Sequence, residues 1–416
     1  MSAFLIDNYL MTLAEGVEKE ILPVCQKIEN KAFLNQQRVL NSFRQARVSD
    51  FHFKGSTGYG YNDQGRKTLE NVYAEIFGAA EALVRGQIIS GTHALALCFF
   101  GVLRPGDELL AVQGSPYDTL RTVIGTEGNA PGNLRELGVF YHQVELLPDG
   151  TLDWPGIARA INSRTKMVFI QRSRGYRNRP SLNLKTMEKL ISFVKKNKQD
   201  IVVCVDNCYG EFVENIEPPM IGADLTAGSL IKNPGGGLAP GGGYVVGQAR
   251  YVKMAASRWT APGVGAEVGP APEFQRLLFQ GLFIAPHVVA EALKGAVFAA
   301  RFFERLGFSV APLFQEERTD LIQGITLGTP ERLLAFCHGI QKASPVDSHV
   351  RPEPAYLPGY GEPVIMAAGT FIQGASIELS ADAPVKDPYR VYLQGGLSKD
   401  HVKLAIINAA RETLDR

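Results

Sequence analysis

Hydrophobic positions along the chain follow two alternating patterns. Leu69, Val72, Tyr73, Ile76 and Phe77 recur at helical spacing, as do Leu184, Met187, Leu190, Ile191 and Val194. Between and after them lie short β-rich runs: Glu108 to Val112, Met167 to Ile170, Ile201 to Val205 and Tyr244 to Val246, with a further strand expected around Ile221 to Ala223. This alternation, from about residue 66 to residue 250, predicts an α/β domain in which a mostly parallel sheet is covered by helices on both faces. Ligands of such sheets bind at the carboxyl ends of the strands. A long helical pattern from Pro286 to Leu306 comes next. Strand-like runs at Phe308 to Ala311, Val364 to Ile372 and Ser376 to Ser380 and a closing helix, His401 to Leu414, predict a smaller C-terminal α+β domain. The Pro- and Gly-rich stretch Ser344 to Pro363 reads as a loop at an active-site mouth.

Composition narrows the class. A chain of 416 residues, 45% hydrophobic, supports a large core and more than one domain. A net charge of +1 argues against a nucleic-acid or membrane-surface partner. Apolar runs such as Ala94 to Leu103 are too short to span a bilayer. The N-terminal stretch MSAFLIDNYLMTLAEGVEKE is acidic and amphipathic, without the basic start or cleavage site of a secretory signal. Five scattered cysteines, Cys25, Cys98, Cys204, Cys208 and Cys337, form no disulfide framework, and no Cys/His pair completes a metal site. These features predict a soluble cytoplasmic protein with no metal, no nucleic acid and no membrane partner.

The chemistry centres on Lys232. It ends a short apolar run and is followed by a loop with six glycines and two prolines, PGGGLAPGGG. A nucleotide phosphate loop places its lysine after the glycines, and a dinucleotide fingerprint runs from strand through glycines into a helix. Here the lysine precedes the glycines, and Pro234, Pro240 and a following strand break the second pattern. A lysine where a strand gives way to closely approachable backbone suits a Schiff base with an aldehyde cofactor. Asp206 directly follows the run IVVCV and suits a carboxylate that keeps a pyridine nitrogen protonated; alone it also fits a turn or helix-cap aspartate. Ser90-Gly91-Thr92 opens an apolar helix and suits a phosphate cradle, although serine is equally an ordinary N-cap. Tyr117, in a Gly-Ser-Pro turn, fits either a ring stacked on a planar cofactor or a core tyrosine. Ser229 offers a further hydroxyl, and the loop GSTGYGYNDQGR offers Tyr59, Tyr61 and Arg66 to a phosphate. Arg172, Arg174, Arg177 and Arg179 crowd one segment, from which one arginine suits a bidentate carboxylate clamp.

Taken in order, YGYNDQGR, SGTHAL, GSPYDTL, VDNCYGEF and AGSLIKNPGGGLAPGGGY resemble the fold-type I pyridoxal-phosphate enzymes. More narrowly, they are similar to the cysteine/methionine-metabolism lyases and to their bacterial branch of aluminium-resistance or methionine gamma-lyase-like proteins, over nearly the whole chain. The resemblance implies a three-layer, aminotransferase-like fold: an N-terminal helical arm and subunit-contact loop (1–65), a large cofactor domain (66–285) and a smaller domain (286–416). It implies pyridoxal 5'-phosphate held as a Schiff base on Lys232, with Asp206 on the pyridinium nitrogen and Ser90, Gly91, Thr92 and Ser229 around the phosphate. Tyr117 would stack on the ring and protonate a leaving group. Tyr59, Tyr61 and Arg66 would come from a neighbouring subunit of a dimer or tetramer. The implied activity is elimination of a thiol from a sulfur-containing amino acid, with catalytic Lys232, Asp206 and Tyr117. An aminotransferase, a racemase or a non-catalytic cofactor-binding regulator are the alternatives. Two positions depart from the pattern: Ile231 stands where these lyases carry a hydroxyl, and Tyr392 stands nearest their carboxylate-binding arginine. Arg390, Arg351 and Arg174, in that order, are the candidates for the clamp.

Overall fold

The computed structural model describes residues 3–128, 130–177, 179–356 and 361–415; positions 357–360 of the expected Ser344–Pro363 loop lie outside them. The chain opens with a helix of 43 residues, α1 (Ala3–Gln45), then α2 (Gln64–Phe77). Strands β1 (Glu81–Arg85), β2 (Glu108–Ala111), β3 (Phe140–Gln143), β4 (Thr165–Gln171), β5 (Val202–Asp206), β6 (Leu225–Ser229) and β7 (Gly243–Gly247) form one sheet in the order β1-β7-β6-β5-β4-β2-β3. The pairs β2–β3, β2–β4, β4–β5 and β5–β6 are parallel, and β7 runs antiparallel to both of its neighbours.

Period-two alternation sends successive side chains of the buried strands to opposite faces. Met167 and Phe169 of β4 and Val202 and Cys204 of β5 pack under α3 (Gly91–Val102), α4 (Asp118–Ile124) and α7 (Ala249–Trp259). Val168 and Ile170 of β4 and Val203 and Val205 of β5 face α5 (Trp154–Ala160) and α6 (Leu184–Asn197). On that second face α2 and the long helix α8 (Gln275–Arg305) cover Val84, Tyr244 and Val246. The large domain is therefore a three-layer α/β/α sandwich around a mostly parallel sheet.

Beyond α8, strands β8 (Ser309–Ala311) and β9 (Gln323–Thr326), helix α9 (Pro330–Lys342), strands β10 (Val364–Ala368), β11 (Ser380–Pro384) and β12 (Arg390–Gln394), and helix α10 (Lys399–Leu414) complete the chain. Their sheet is five-stranded and antiparallel, in the order β10-β11-β12-β9-β8. Leu10, Leu13, Ala14, Val17, Ile21 and Cys25 of α1 share its core with Val297, Phe302 and Phe303 of α8 and Ile406 of α10.

Three expectations shift. The strand expected around Ile221 to Ala223 is a short 3-10 helix, Pro218–Ile221, ended by Gly222, because the proline pair sets a helical φ; the strand starts at Leu225. The long helix starts at Gln275, well before Pro286, since the apolar stripe of Leu278, Phe279, Leu282 and Ala285 holds it through the proline. This helix is long and apolar enough to cross a bilayer, yet 72% of its most apolar window is buried in the fold, so it reads as a core helix. The run from Ser376 becomes strand only at Ser380, because Glu378 turns back to accept the N–H groups of Phe371 and Ile372.

Candidate active site

Parallel strands end together, and the polar residues just past their apolar runs gather at one edge. Gln171 at the end of β4 lies beside Asp206 at the end of β5, and Asp206 beside Ala227 of β6. Helix α3 starts at the same edge. Ser90, Gly91, Thr92, Tyr117, Asp206, Ser229 and Lys232 all line one cavity of about 260 Å³ there.

Each side chain has a local cause. Ser90 caps α3, its Oγ accepting the N–H of His93 at 3.0 Å, so it is an N-cap and a cavity wall at once. The first N–H groups of α3 have no intrahelical acceptors and carry the positive end of the helix dipole. A Cβ on Gly91 would lie 3.2 Å from Cys208 Sγ and 3.5 Å from Ser229 Cβ, so glycine keeps this cradle open. Tyr117 OH and Thr92 Oγ1 share a hydrogen bond of 2.9 Å. Burial first, and then nearby Asp206, hold the Tyr117 phenol protonated far above its ordinary range.

Asp206 is buried, and its carboxyl is pushed up by desolvation against the opposing pull of Lys232. Its Oδ1 accepts the backbone N–H of Cys208 at 3.0 Å. Burial works against the Lys232 ammonium, and the Asp206 carboxylate works for it. Nζ of Lys232 sits 4.0 Å from the centre of the Tyr209 ring, a cation–π contact.

The glycine loop after Lys232 is a packing device. A Cβ on Gly235 would run into the carbonyl of Leu230, and one on Gly236 into the carbonyl of Gly281 in α8. Gly236 also takes the left-handed conformation, with φ of 54°. The loop is thus pressed between its own strand and α8, and it returns as β7.

The methionine gamma-lyase family model matches this chain over residues 10–414. The chain belongs to the methionine gamma-lyase family. Bacillus subtilis has a relative, the uncharacterized protein YnbB, 52% identical over 98% of this chain and 97% of its own. A structure from Clostridium novyi NT, named a carbon-sulfur lyase involved in aluminium resistance, is 45% identical, covers 97% of this chain and 96% of its own, and superposes with a TM-score of 0.94. One from Listeria monocytogenes, named as a candidate cystathionine beta-lyase involved in aluminium resistance, is 49% identical, covers 97% of this chain and all of its own, and has a TM-score of 0.95. The pyridoxal-5'-phosphate dependent protein YhfS of Escherichia coli, 15% identical with a TM-score of 0.61, shares the fold.

The remaining site candidates depend on where the fold puts them. Tyr59 and Tyr61 stand on the surface, 70% and 66% exposed, away from this chain's own cavity. Arg66 is buried and donates to the carbonyls of Gly60, Gly269 and Glu267. Of the three clamp candidates, Arg351 is exposed and lines neither the cavity nor its neighbour. Arg390 lies on β12 and donates to Thr326 Oγ1 at 2.9 Å, also outside both. Arg174 lines an adjoining cavity that shares Tyr117, Asp118, Gln171, Gly175 and Tyr176 with the first. Its guanidinium is held from behind by the Ala311 carbonyl at 3.0 Å and by Asp320 at 3.7 Å. Arg172 pairs with Glu214 at 2.8 Å, and Arg179 donates to the carbonyls of Gln113 and Ser173, so both serve the scaffold.

The fold also brings in residues that sequence reasoning missed. Cys208 and Tyr209 follow Asp206 within VDNCY and line the same cavity, although the sequence offers them no site role. Tyr176 lines both cavities and donates to Asp382 of β11, which also accepts Gln394 Nε2 at 2.6 Å. The smaller domain thereby reaches the site.

The residues present suit pyridoxal phosphate. The cradle at Gly91, with Ser90, Thr92 and Ser229, suits a phosphate; Tyr117 suits a ring face; Asp206 suits a protonated ring nitrogen; Lys232 suits an aldehyde carbon.

Proposed function

We propose that this chain is a pyridoxal-phosphate-dependent carbon–sulfur lyase. It eliminates a thiol from a sulfur-containing amino acid, of the methionine or cystathionine kind, to leave a 2-oxo acid and ammonia. The observation that carries this reading is the convergence of Lys232, Asp206, Tyr117 and the open start of α3 on one cavity. The lyase names of its relatives support the reaction class.

When bound, the cofactor supplies an aldehyde that takes up an amino group and a ring that accepts the electron pair released at Cα. Lys232 Nζ would hold that aldehyde and, once free, would take the Cα proton. Asp206, sealed from water and steadied by the Cys208 N–H, keeps a proton on the ring nitrogen. With sulfur on Cβ the carbon–sulfur bond then breaks with its electron pair on sulfur; with sulfur on Cγ a Cβ proton leaves first. In either case water converts the released enamine to the 2-oxo acid and ammonia. Tyr117, protonated and fixed by Thr92, is placed to give that sulfur a proton. Arg174, backed by Asp320, holds the substrate carboxylate from the adjoining cavity. We assign Tyr59 and Tyr61 to a neighbouring copy's site, supported by their exposure beside a buried Arg66 that donates to three backbone carbonyls.

The purified protein with added cofactor is expected to absorb visible light, and borohydride is expected to fix the cofactor to the peptide containing Lys232. Lys232→Ala should lower turnover by about 10²–10⁴-fold or more. Release of ammonia and a 2-oxo acid from cystathionine, methionine or cysteine without an amino acceptor marks a lyase. An absolute need for an acceptor would instead mark an aminotransferase, and a colourless protein unaffected by Lys232→Ala would end the proposal.

A further inference from the structure

A second cavity, of about 450 Å³, lies away from the catalytic edge and shares no lining residue with it. It opens between α1, α8, the loop after β5 and the connection from β8 to β9. Val24 and Ile28 of α1, Phe212 and Val213, and Pro286, Ala290 and Leu293 of α8 make apolar walls. Lys27, Lys31, Glu316 and Glu317 also line it, Lys31 pairing with Glu317 at 2.7 Å and Glu316 accepting the Leu313 N–H at 2.9 Å.

Arg318 lines the same cavity and is 7% exposed. One nitrogen, Nη2, donates to Gln323 Oε1 and to the carbonyl of Ala296. Its Nε and Nη1 find no acceptor, and among the described residues Arg318 forms no ion pair. Burial, and next the like charge of Arg174, push its pKa down to about 9. A buried cation with two idle donors is costly, and a carboxylate matches the guanidinium fork. Apolar walls with a buried guanidinium that has no ion-pair partner among the described residues suit a small carboxylate.

We propose that this cavity binds a small carboxylate with an apolar, branched aliphatic body. The carboxylate takes Nε and Nη1 of Arg318, which turns toward the cavity it already lines, and the hydrocarbon packs against Ile28, Phe212 and Leu293. Phe212 and Val213 continue the loop that carries Tyr209 under Lys232, so the ligand bears on the catalytic edge through that loop. A free carboxylic acid and an apolar amino acid share this chemistry.

Calorimetric titration of the full chain with isocaproate, leucine and isohexyl alcohol separates these cases. Isocaproate is expected to bind once per chain and to raise Tm. Arg318→Met and Ala290→Phe, which fills the cavity from α8, should each weaken it by about tenfold or more. Leucine also suits the catalytic cavity, so its binding here is read as the part lost in Ala290→Phe; a lost part assigns the site to amino acids, and no lost part assigns it to free acids. If Arg318→Met does not fold, Ala290→Phe alone decides. Equal binding of the alcohol, unchanged binding in a folded variant, or no response to isocaproate would overturn the proposal.

Discussion

Glu211 shows how a buried side chain behind the site sets a pH response. Tyr244 OH donates to its Oε1 at 2.7 Å, while Oε2 has no partner. Burial, opposed by that hydrogen bond, pushes its pKa up from 4.5 to about 8. Because the folded pKa is the raised one, its contribution to stability is complete below pH 4.5 and is lost as pH rises to about 8. Glu211→Gln removes this loss. Thermal unfolding from pH 5 to 9 should therefore show the variant gaining on the wild type up to about pH 8 and holding a constant margin above it. A pH-independent difference would show that Glu211 titrates normally. At this scale the sequence exposes what lies in short contiguous strings. Lys232 and Asp206 each follow an apolar run, so strand, edge and chemistry are read together. Tyr176 and Asp382 meet across 206 positions, and nothing in either neighbourhood announces the other.

Elements explain the glycine-rich loop. Gly281 of α8 would put a Cβ into the carbonyl of Gly235, and Gly237 would put one 2.5 Å from Leu397 before α10. Helix and loop thus meet backbone to backbone, and the Leu397 side chain closes on the same loop just after Lys232 in the chain. Gly281→Ala should cost about 1–3 kcal/mol and lower cofactor retention and turnover together, because the displaced loop carries the lysine. Gly16→Ala in α1 is the control: nothing lies within 4 Å of its Cβ, and it should gain about 0.5–1 kcal/mol. Denaturant unfolding measures both, and equal effects would deny the loop contact its role. Periodicity located α2 and α6 and the strands β2, β4, β5 and β7, because each helix buries one stripe and each of these strands both faces. It failed at Pro218–Ile221, where apolar residues line a 3-10 turn instead of a strand, and at Pro286, where tertiary packing carries a helix through a proline.

For the whole molecule, the two sheets do not have two independent cores. α8 gives Leu278, Leu282 and Val289 to the core beside the large sheet and Val297, Phe302 and Phe303 to the core of the small one. α1 does likewise, with Val39 in the first and Leu13, Val17 and Ile21 in the second. Ile21→Ala, in the core of the small sheet and outside the cavity that Lys232 lines, should cost about 2–5 kcal/mol. It should shift a single unfolding transition, with the visible cofactor signal lost at the same temperature as helical structure. Two separated transitions would mean that the cores melt apart. This connectivity escaped the sequence reading because the amphipathic stripe of α1 says that one face is buried and not what buries it.

The shared helices also decide how this chain can be divided. A cut within the 305–309 turn leaves the small sheet without Phe302 and Phe303, and a cut before α8 strips the large sheet of Leu278 and Leu282. Neither half is an excisable module, so a fragment lacking the other should be expressed as insoluble protein, and lineages of this family should exchange whole chains rather than halves.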